Sequence, residues 1–181
     1  MAGKRGMSPV VATLLLVMLT IAGVAAIAGF VVPFISKSLK ESTECANYKD
    51  YFIFDEDLNY NCYVSDGSKV IYGFSVKAKN DEKISENIEG FVVVLKAKDG
   101  TAKSYEIKSG KQPVEIKTCG KSSIEIPSAG GIKTYGFTRT SEEISSATIQ
   151  AKLKSGRVCE EADKIDFYRC DYSIGEKLKA C

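Results

Sequence analysis

The sequence predicts a chain in two parts: a long N-terminal hydrophobic α-helix, followed by an all-β domain of the β-sandwich type. The first part is indicated by the stretch from Val10 to Ile35, which contains no charged side chain. The second part is indicated by many short runs of β-branched and aromatic residues separated by turn signals, a pattern typical of all-β domains.

The apolar stretch is long enough to cross a membrane as a helix. About 20 apolar residues in a helix span the hydrocarbon core of a bilayer, and a helix satisfies its own backbone hydrogen bonds where lipid cannot. Ser8 is suited to cap this helix and Pro9 to occupy its first position. We expect the helix to continue to about Ser42, just before the first cysteine.

Small residues and one proline mark the second half of this helix. Alanine and glycine four residues apart let neighbouring helices approach closely, although both are also simply common in membrane helices. The proline has no N–H for the carbonyl of the residue four positions earlier, which favours a kink. The candidate packing residues are Ala22, Ala25, Ala26, Gly29 and Pro33.

The cysteines indicate which side of the membrane the second part occupies. Lys4 and Arg5 favour a cytoplasmic N-terminus, but lysines also follow the helix, so charge alone does not decide. No cysteine precedes the helix, and an even number after it is typical of disulfides in an exported domain. The disulfide candidates are Cys45, Cys62, Cys119, Cys159, Cys170 and Cys181.

The sequence does not choose among the many possible cysteine pairings. We favour a bond between Cys159 and Cys170, because a short loop could bring them together at the edge of a strand. A bond at Cys181 would tie down a chain end that otherwise frays. The sequence contains no C-x-x-C pair, so a zinc site is not favoured.

Short apolar runs throughout the second part predict its strands. Asp99-Gly100, between two such runs, predicts a tight β-hairpin. Asn80–Glu89 is polar and is expected to be a connection with one helical turn. The predicted strands are Tyr51–Phe54, Tyr60–Val64, Val70–Ala78, Gly90–Ala97, Lys103–Lys108, Val114–Thr118, Ser123–Ile126, Lys133–Thr138, Thr148–Leu153 and Ile165–Cys170.

A basic pair and a glycine, Lys4-Arg5-Gly6, stand directly before Met7-Ser8-Pro9-Val10 and the apolar stretch. This segment resembles the start of archaeal type IV pilins and related class III signal peptide proteins. The resemblance implies that a membrane peptidase cuts between Gly6 and Met7, and that the helix is retained as the core of a filament. Val11 stands where bacterial pilins have a glutamate.

The resemblance also implies three segments. They are a leader peptide at residues 1–6, a hydrophobic helix at 7–43 that is transmembrane before assembly and filament core afterwards, and an extracellular β-domain at 44–181. Within the last segment, Ile124–Phe137 resembles a hairpin of immunoglobulin-like archaeal surface domains. This second resemblance implies an immunoglobulin-like β-sandwich.

Three other interpretations of the apolar stretch stay open. Ala26-Ile27-Ala28 supplies the small-x-small site of an ordinary cleaved signal peptide. The stretch is also compatible with an uncleaved single-span anchor, whose β-domain binds an S-layer or another envelope component. A buried helix of a soluble protein is the third alternative.

The groups that most catalytic and metal sites need are absent from the sequence. There is no histidine, and neither a phosphate-binding loop nor a G-x-S-x-G elbow is present. Asp55, Asp57 and Asn59 are spaced like the opening of a calcium loop, but Tyr60 stands where that loop needs glycine. We therefore expect no enzymatic activity, no cofactor and no metal.

Charge also argues against nucleic-acid binding. The net charge is +2, and removal of Lys4 and Arg5 with the leader would bring it to zero, whereas nucleic-acid binding depends on phosphate neutralisation. The resemblance implies instead a structural subunit of an archaeal type IV pilus-like filament at the cell surface. Its implied partners are membrane lipid before assembly, a prepilin peptidase, an assembly ATPase with its membrane platform, and copies of itself.

Overall fold

The computed structural model of the protein describes residues 9–110, 115–140 and 143–181, with residues 37–43 described through their backbone alone. Within these ranges the chain forms one long helix and then a β-rich domain with two sheets. The two belong to separate compact units, divided between Glu44 and Cys45. The coarse prediction, an apolar helix followed by a β-rich domain, is confirmed.

The N-terminal helix, α1, extends from Pro9 to Ala46. Pro33 lies inside it, so the helix tolerates a residue that cannot donate to the carbonyl of Gly29. The expected continuation to about Ser42 is confirmed and slightly exceeded. Ser8, the expected N-cap, lies outside the described residues.

The β-rich domain contains two sheets. Sheet A has the strand order β10-β2-β3-β7-β6, and β1 also pairs with β3; sheet B has the order β5-β4-β8-β9. All pairs are antiparallel except β10 with β2. The strands are β1 Phe52–Phe54, β2 Cys62–Asp66, β3 Lys69–Ala78, β4 Ile88–Ala97, β5 Ala102–Lys108, β6 Ile116–Thr118, β7 Ile132–Arg139, β8 Ile144–Leu153, β9 Val158–Asp166 and β10 Tyr168–Arg169; the short helices are α2 Glu82–Ser85 and α3 Tyr172–Lys179.

The inward faces of the two sheets share one hydrophobic core. Aromatic contacts join them: Phe52 of sheet A lies 5.0 Å from Phe91 of sheet B between ring centroids, and Phe91 lies 5.6 Å from Tyr135 of sheet A. The Tyr135 hydroxyl donates to the Glu125 carbonyl at 2.6 Å, and burial raises its pKa. Burying each such aromatic side chain stabilises the fold by about 1.5–3 kcal/mol.

The side chain of Asn61 supplies a hydrogen-bond partner to a backbone N–H of β3 that no neighbouring strand reaches. Strands β1 and β2 both pair with β3, and the loop between them leaves the N–H of Ser75 without a strand partner. The Asn61 side chain accepts from this N–H at 2.9 Å and donates to the Asp55 carbonyl at 2.9 Å. A side-chain amide thus replaces strand hydrogen bonds where a buried backbone group would otherwise be unpaired.

The predicted strands differ from the observed ones mainly in the second half of the domain. Ser123–Ile126 is not a strand: Ile124 is buried in the core, and the N–H of Glu125 donates to the Thr118 hydroxyl at 3.0 Å. Val114, the predicted start of β6, lies outside the described residues. The helical turn expected within Asn80–Glu89 is confirmed as α2.

The sequence analysis missed β9 and α3. Strand β9 has charged residues at most of its positions and only two buried side chains, Cys159 and Ile165, so its hydrophobic alternation is weak. Helix α3 is only eight residues long, and its buried positions are a glycine and Leu178. The predicted strand Ile165–Cys170 is in fact divided at Phe167 between β9 and β10.

Helix α3 lies on the outer face of sheet A, where two glycines provide space for it. Gly73 of β3 pairs directly with Gly136 of β7. A Cβ at Gly73 would lie 2.6 Å from Leu178 Cδ1, and one at Gly136 would lie 2.7 Å from the sulfur of Cys181. The absence of side chains at this pair therefore lets the C-terminal segment seat closely against the sheet.

Replacing Gly73 with alanine should destabilise the domain by about 1–3 kcal/mol, as overpacking does. The new methyl would meet Leu178 and also the Tyr60 carbonyl oxygen at 2.9 Å, which is backbone and cannot rotate away. Thermal unfolding of the protein in detergent micelles, followed by circular dichroism, measures the effect.

Gly175→Ala is the matched control. Its Cβ would meet a side-chain methyl of Val64 at 3.2 Å, and alanine is favoured over glycine in a helix by about 1 kcal/mol, so little net change is expected. If Gly73→Ala is as stable as the parent protein, α3 does not lie on this face.

Candidate functional site

The surface of α1 is the largest apolar feature of the chain. From Pro9 to Ser36 the helix has a mean hydropathy of 2.7, and no part of its most hydrophobic stretch is buried by the described part of the chain. Leu19 is 77% and Phe30 80% exposed. An exposed apolar surface of this size marks a membrane or protein interaction site, and the helix is long and apolar enough to cross a membrane.

The two threonine side chains on this part of α1 form hydrogen bonds within the helix. The hydroxyl of Thr13 donates to the Val10 carbonyl at 2.9 Å, and the hydroxyl of Thr20 donates to the Val17 carbonyl at 2.8 Å. Neither hydroxyl therefore needs water. This property suits a helix in lipid or in the interior of an assembly.

The predicted packing residues lie on this exposed surface. A Cβ at Gly29 would meet nothing within 4 Å, so this position is open to a neighbouring helix. Pro33 lies inside α1. Gly6 and Met7, the predicted processing site, lie outside the described residues. The small residues Ala22, Ala25, Ala26 and Gly29 are all exposed.

All six cysteines form disulfides, as the sequence analysis expected. The bonds join Cys45 to Cys159, Cys62 to Cys170, and Cys119 to Cys181, and no cysteine is free. They connect residues separated by 114, 108 and 62 positions. Bonds that close such long loops each stabilise a domain by about 2–4 kcal/mol. Three disulfides suit an extracellular domain.

The favoured bond between Cys159 and Cys170 is wrong. Cys159 lies in β9 of sheet B, whereas Cys170 directly follows β10 of sheet A. The chain changes sheets near Phe167, so the two cysteines belong to different sheets despite their short separation. Cys159 bonds instead to Cys45, at a Cα–Cα distance of 5.4 Å. The expected anchoring of Cys181 is confirmed.

A charged cluster bridges the two sheets at one edge. Tyr105 of β5 donates to the carboxylate of Glu115, which also pairs with Arg139 of β7 at 2.6 Å. Arg139 donates in turn to the Tyr105 hydroxyl. The hydrogen bond from Tyr105 and the charge of Arg139 lower the pKa of Glu115. The sequence analysis missed this cluster, because its members are far apart in the chain.

At the opposite edge of the two-sheet domain, the carboxylate of Asp163 accepts a hydrogen bond from the backbone of β1. The N–H of Phe54 in β1 donates to Asp163 Oδ2 of β9 at 2.8 Å. This bond joins the outer edge of sheet A to sheet B. Both lateral edges of the two-sheet domain therefore have a specific polar connection.

The stretch Asp55–Asn59, which is spaced like the opening of a calcium loop, forms a turn. The carboxylate of Asp55 accepts a hydrogen bond from the backbone of this same turn. Asp55 is buried, and its Oδ1 accepts from the N–H of Leu58 at 3.0 Å. Asn59 adopts a left-handed conformation with φ 56°. Among residues 9–110, 115–140 and 143–181, no group of three or more His, Cys, Asp or Glu side chains could hold a metal ion.

The fold and its sites define a class of protein: a chain with an uncovered apolar helix of membrane length and a disulfide-bonded, two-sheet β-domain. No model of a known protein family matches the chain, and no curated protein is significantly similar to it.

Peptide mapping without reductant should recover the three disulfides in the pairing of the structure. Proteolysis between the cysteines and mass spectrometry of linked peptides makes the measurement, with a reduced sample as control. A peptide linking Cys159 to Cys170 would contradict the two-sheet topology. Reduction should lower the melting temperature, because each bond stabilises the domain by about 2–4 kcal/mol.

The stability of the domain should fall in acid in part through Glu115. Since the folded-state pKa of Glu115 lies below its ordinary value of 4.5, the ionised carboxylate stabilises the fold above that pH. This stabilisation is lost as pH falls through the lowered folded-state pKa. Because the side chain is 37% exposed, solvent screens the interaction, and we expect about 1 kcal/mol or less.

Glu115→Gln should therefore flatten the dependence of unfolding free energy on pH below about pH 5, as urea unfolding at several pH values measures. Glu143→Gln is the control, because Glu143 makes an ion pair with Lys98 in which both side chains are about two-thirds exposed. Equal effects of the two substitutions would show that the bridging cluster has no special role.

Proposed function

We propose that this chain is a structural subunit of an archaeal type IV pilus-like surface filament, processed by a prepilin peptidase. The main support is the position of Lys4-Arg5-Gly6, just before a helix whose apolar surface its own chain leaves exposed. A leader of this kind leaves the helix on the mature chain. An ordinary signal peptide is instead removed together with its apolar segment.

The hydrophobic surface of α1 suits both a membrane before assembly and the core of a filament afterwards. Large apolar side chains face all sides of the helix, including Leu14, Leu16, Leu19 and Phe30. A helix that is hydrophobic all round is buried in a membrane or in the core of an assembly. Movement from lipid into contact with other copies would keep this surface out of water throughout.

The small residues on α1 support close packing between copies. Alanine and glycine at spacings of four let helix backbones approach, so that dispersion contacts replace contacts with lipid. A heterologous contact that does not close into a ring generates an open filament. Repetition of one helix-to-helix contact from copy to copy would therefore suffice to build the core.

On this proposal the β-domain is extracellular and forms the filament surface. The three disulfides support the compartment. We further propose that the domain is immunoglobulin-like, because two mostly antiparallel sheets share one core. The parallel pairing of β10 with β2 and the helix α3 are additions to that pattern.

The proposal implies a set of partners and excludes others. The partners are membrane lipid before assembly, a prepilin peptidase, an assembly ATPase with its membrane platform, and further copies of the chain. We propose no enzymatic activity. We also propose no nucleic-acid binding, because a mature chain without Lys4 and Arg5 would have no net charge to neutralise phosphates.

The mature protein should begin at Met7. N-terminal peptide mass spectrometry of the protein isolated from its native host gives the measurement. A start at Gly29 would show an ordinary signal peptide. A start at Met1 or Ala2 would show an uncleaved single-span anchor, whose β-domain binds an envelope or S-layer component. Either result contradicts the proposal.

Two substitutions in the tail make the test specific. Gly6→Leu should block the cut, leave the protein in the membrane fraction and abolish filaments seen by negative-stain electron microscopy. Gly3→Leu, in the same tail but away from the cut, should change neither processing nor filaments. Filaments of normal abundance from the Gly6→Leu protein would show that processing is not needed for assembly.

A further inference from the structure

A basic hollow of about 260 Å³ lies beside α3 on the β-domain. Four separate parts of the chain line it, and the residues that matter chemically are Tyr60, Cys119, Lys121, Lys133 and Lys177. No local run of sequence contains these residues together. The fold alone creates this concentration of positive charge.

Positive charge exceeds negative charge around this hollow. Glu125 is the carboxylate that pairs with two of its lysines, at 2.6 Å from Lys133 and 3.6 Å from Lys121. The hydrogen bond from Lys133 lowers the pKa of Glu125, so this carboxylate stays ionised at neutral pH. The three lysines that line the hollow therefore have one ion-pairing carboxylate among the described residues.

Two donors at the hollow have no partner. Among the residues that the structure describes, the solvent-exposed ammonium of Lys177 and the hydroxyl of the half-buried Tyr60 make no hydrogen bond or ion pair. Lys179, on the same helix, differs in this respect, because it pairs with Glu176 at 2.8 Å. Lys177 is thus a cation available to a ligand, next to an aromatic ring with a free polar end.

The wall that presents Lys177 is held in place before any ligand arrives. Cys119, in the lining of the hollow, is bonded to Cys181 just beyond α3. Leu178, the residue after Lys177, is 1% exposed and contacts the face of sheet A at Gly73. The backbone that presents Lys177 is therefore fixed, and a ligand has to order only the exposed lysine side chains.

We propose that this hollow binds one acidic sugar unit, with the oxyanion of the sugar paired to Lys177 and its ring against Tyr60. The volume of about 260 Å³ lies just below the range of about 300–1,000 Å³ for pockets that hold drug-sized ligands, so it suits a single ring rather than a peptide or a nucleotide. The exposed position of an exported domain makes saccharides accessible to it. The inference does not depend on filament assembly and stands if the filament proposal fails.

The oxyanion could be a carboxylate or a phosphate, and titration distinguishes the two. Full-length protein in neutral detergent micelles at low salt is titrated with glucuronate, glucose 6-phosphate, inorganic phosphate and glucose, and binding is followed by calorimetry. We expect saturable binding of at least one acidic sugar and none of glucose. Inorganic phosphate that binds as tightly as either acidic sugar would overturn the proposal and indicate a nonspecific anion site.

Three substitutions test the assigned residues. Lys177→Gln should weaken binding about tenfold, the usual effect of losing one charge-assisted hydrogen bond. Glu125→Gln should strengthen binding, because it frees Lys121 and Lys133 for the ligand. Lys179→Gln, on the same helix but with its own carboxylate partner, is the matched control and should leave affinity unchanged.

Lys177→Gln is expected to weaken binding and Glu125→Gln to strengthen it. These opposite changes in affinity distinguish a specific binding site from a surface that is only basic. Equal losses in Lys177→Gln and Lys179→Gln would overturn the proposal, and so would a loss of affinity in Glu125→Gln. Circular dichroism of each variant checks that its fold is intact. If Lys177→Gln unfolds, Lys177→Met replaces it, because methionine keeps most of the apolar length of the side chain without its charge.

Discussion

The uncovered apolar surface of α1 is the constraint on which the rest of this molecule depends. Burying one large aliphatic or aromatic side chain is worth about 1.5–3 kcal/mol. Along residues 10–35, 16 of the 26 positions have such a side chain, and all 16 are exposed. Their sum far exceeds the roughly 5–15 kcal/mol that holds a whole domain folded. The chain must therefore place this surface in lipid or against protein.

Disulfides and polar connections supplement the core of the β-domain. Its core is of modest size, and the structure supplements it at defined points. Disulfides join sheet B to the start of the domain and both ends of the C-terminal segment to sheet A. The Tyr105, Glu115 and Arg139 cluster and the bond from Phe54 to Asp163 connect the sheets at opposite edges. Covalent and polar connections thus supplement hydrophobic burial.

The C-terminal segment shows how the absence of side chains can create a site. Because Gly73 and Gly136 are paired across β3 and β7, α3 lies directly on the sheet, where any side chain would displace it. The disulfide from Cys119 to Cys181 fixes this arrangement. Helix α3 then places Lys177 beside Lys133 of β7 and Lys121 of the loop after β6. The basic hollow exists only because these packing conditions are met together.

The sequence by itself determined the features that depend on local composition. An uncharged apolar run predicts a membrane-length helix, β-branched runs with turn signals predict strands, and six cysteines after the helix predict disulfides. Only the tertiary structure decided which cysteines pair, where β9 and α3 lie, and which lysines meet at the hollow. The physical reason is that these features depend on contacts between residues far apart in the chain. Cys159 and Cys170 illustrate this, because eleven positions of separation suggested a bond that the change of sheet at Phe167 prevents.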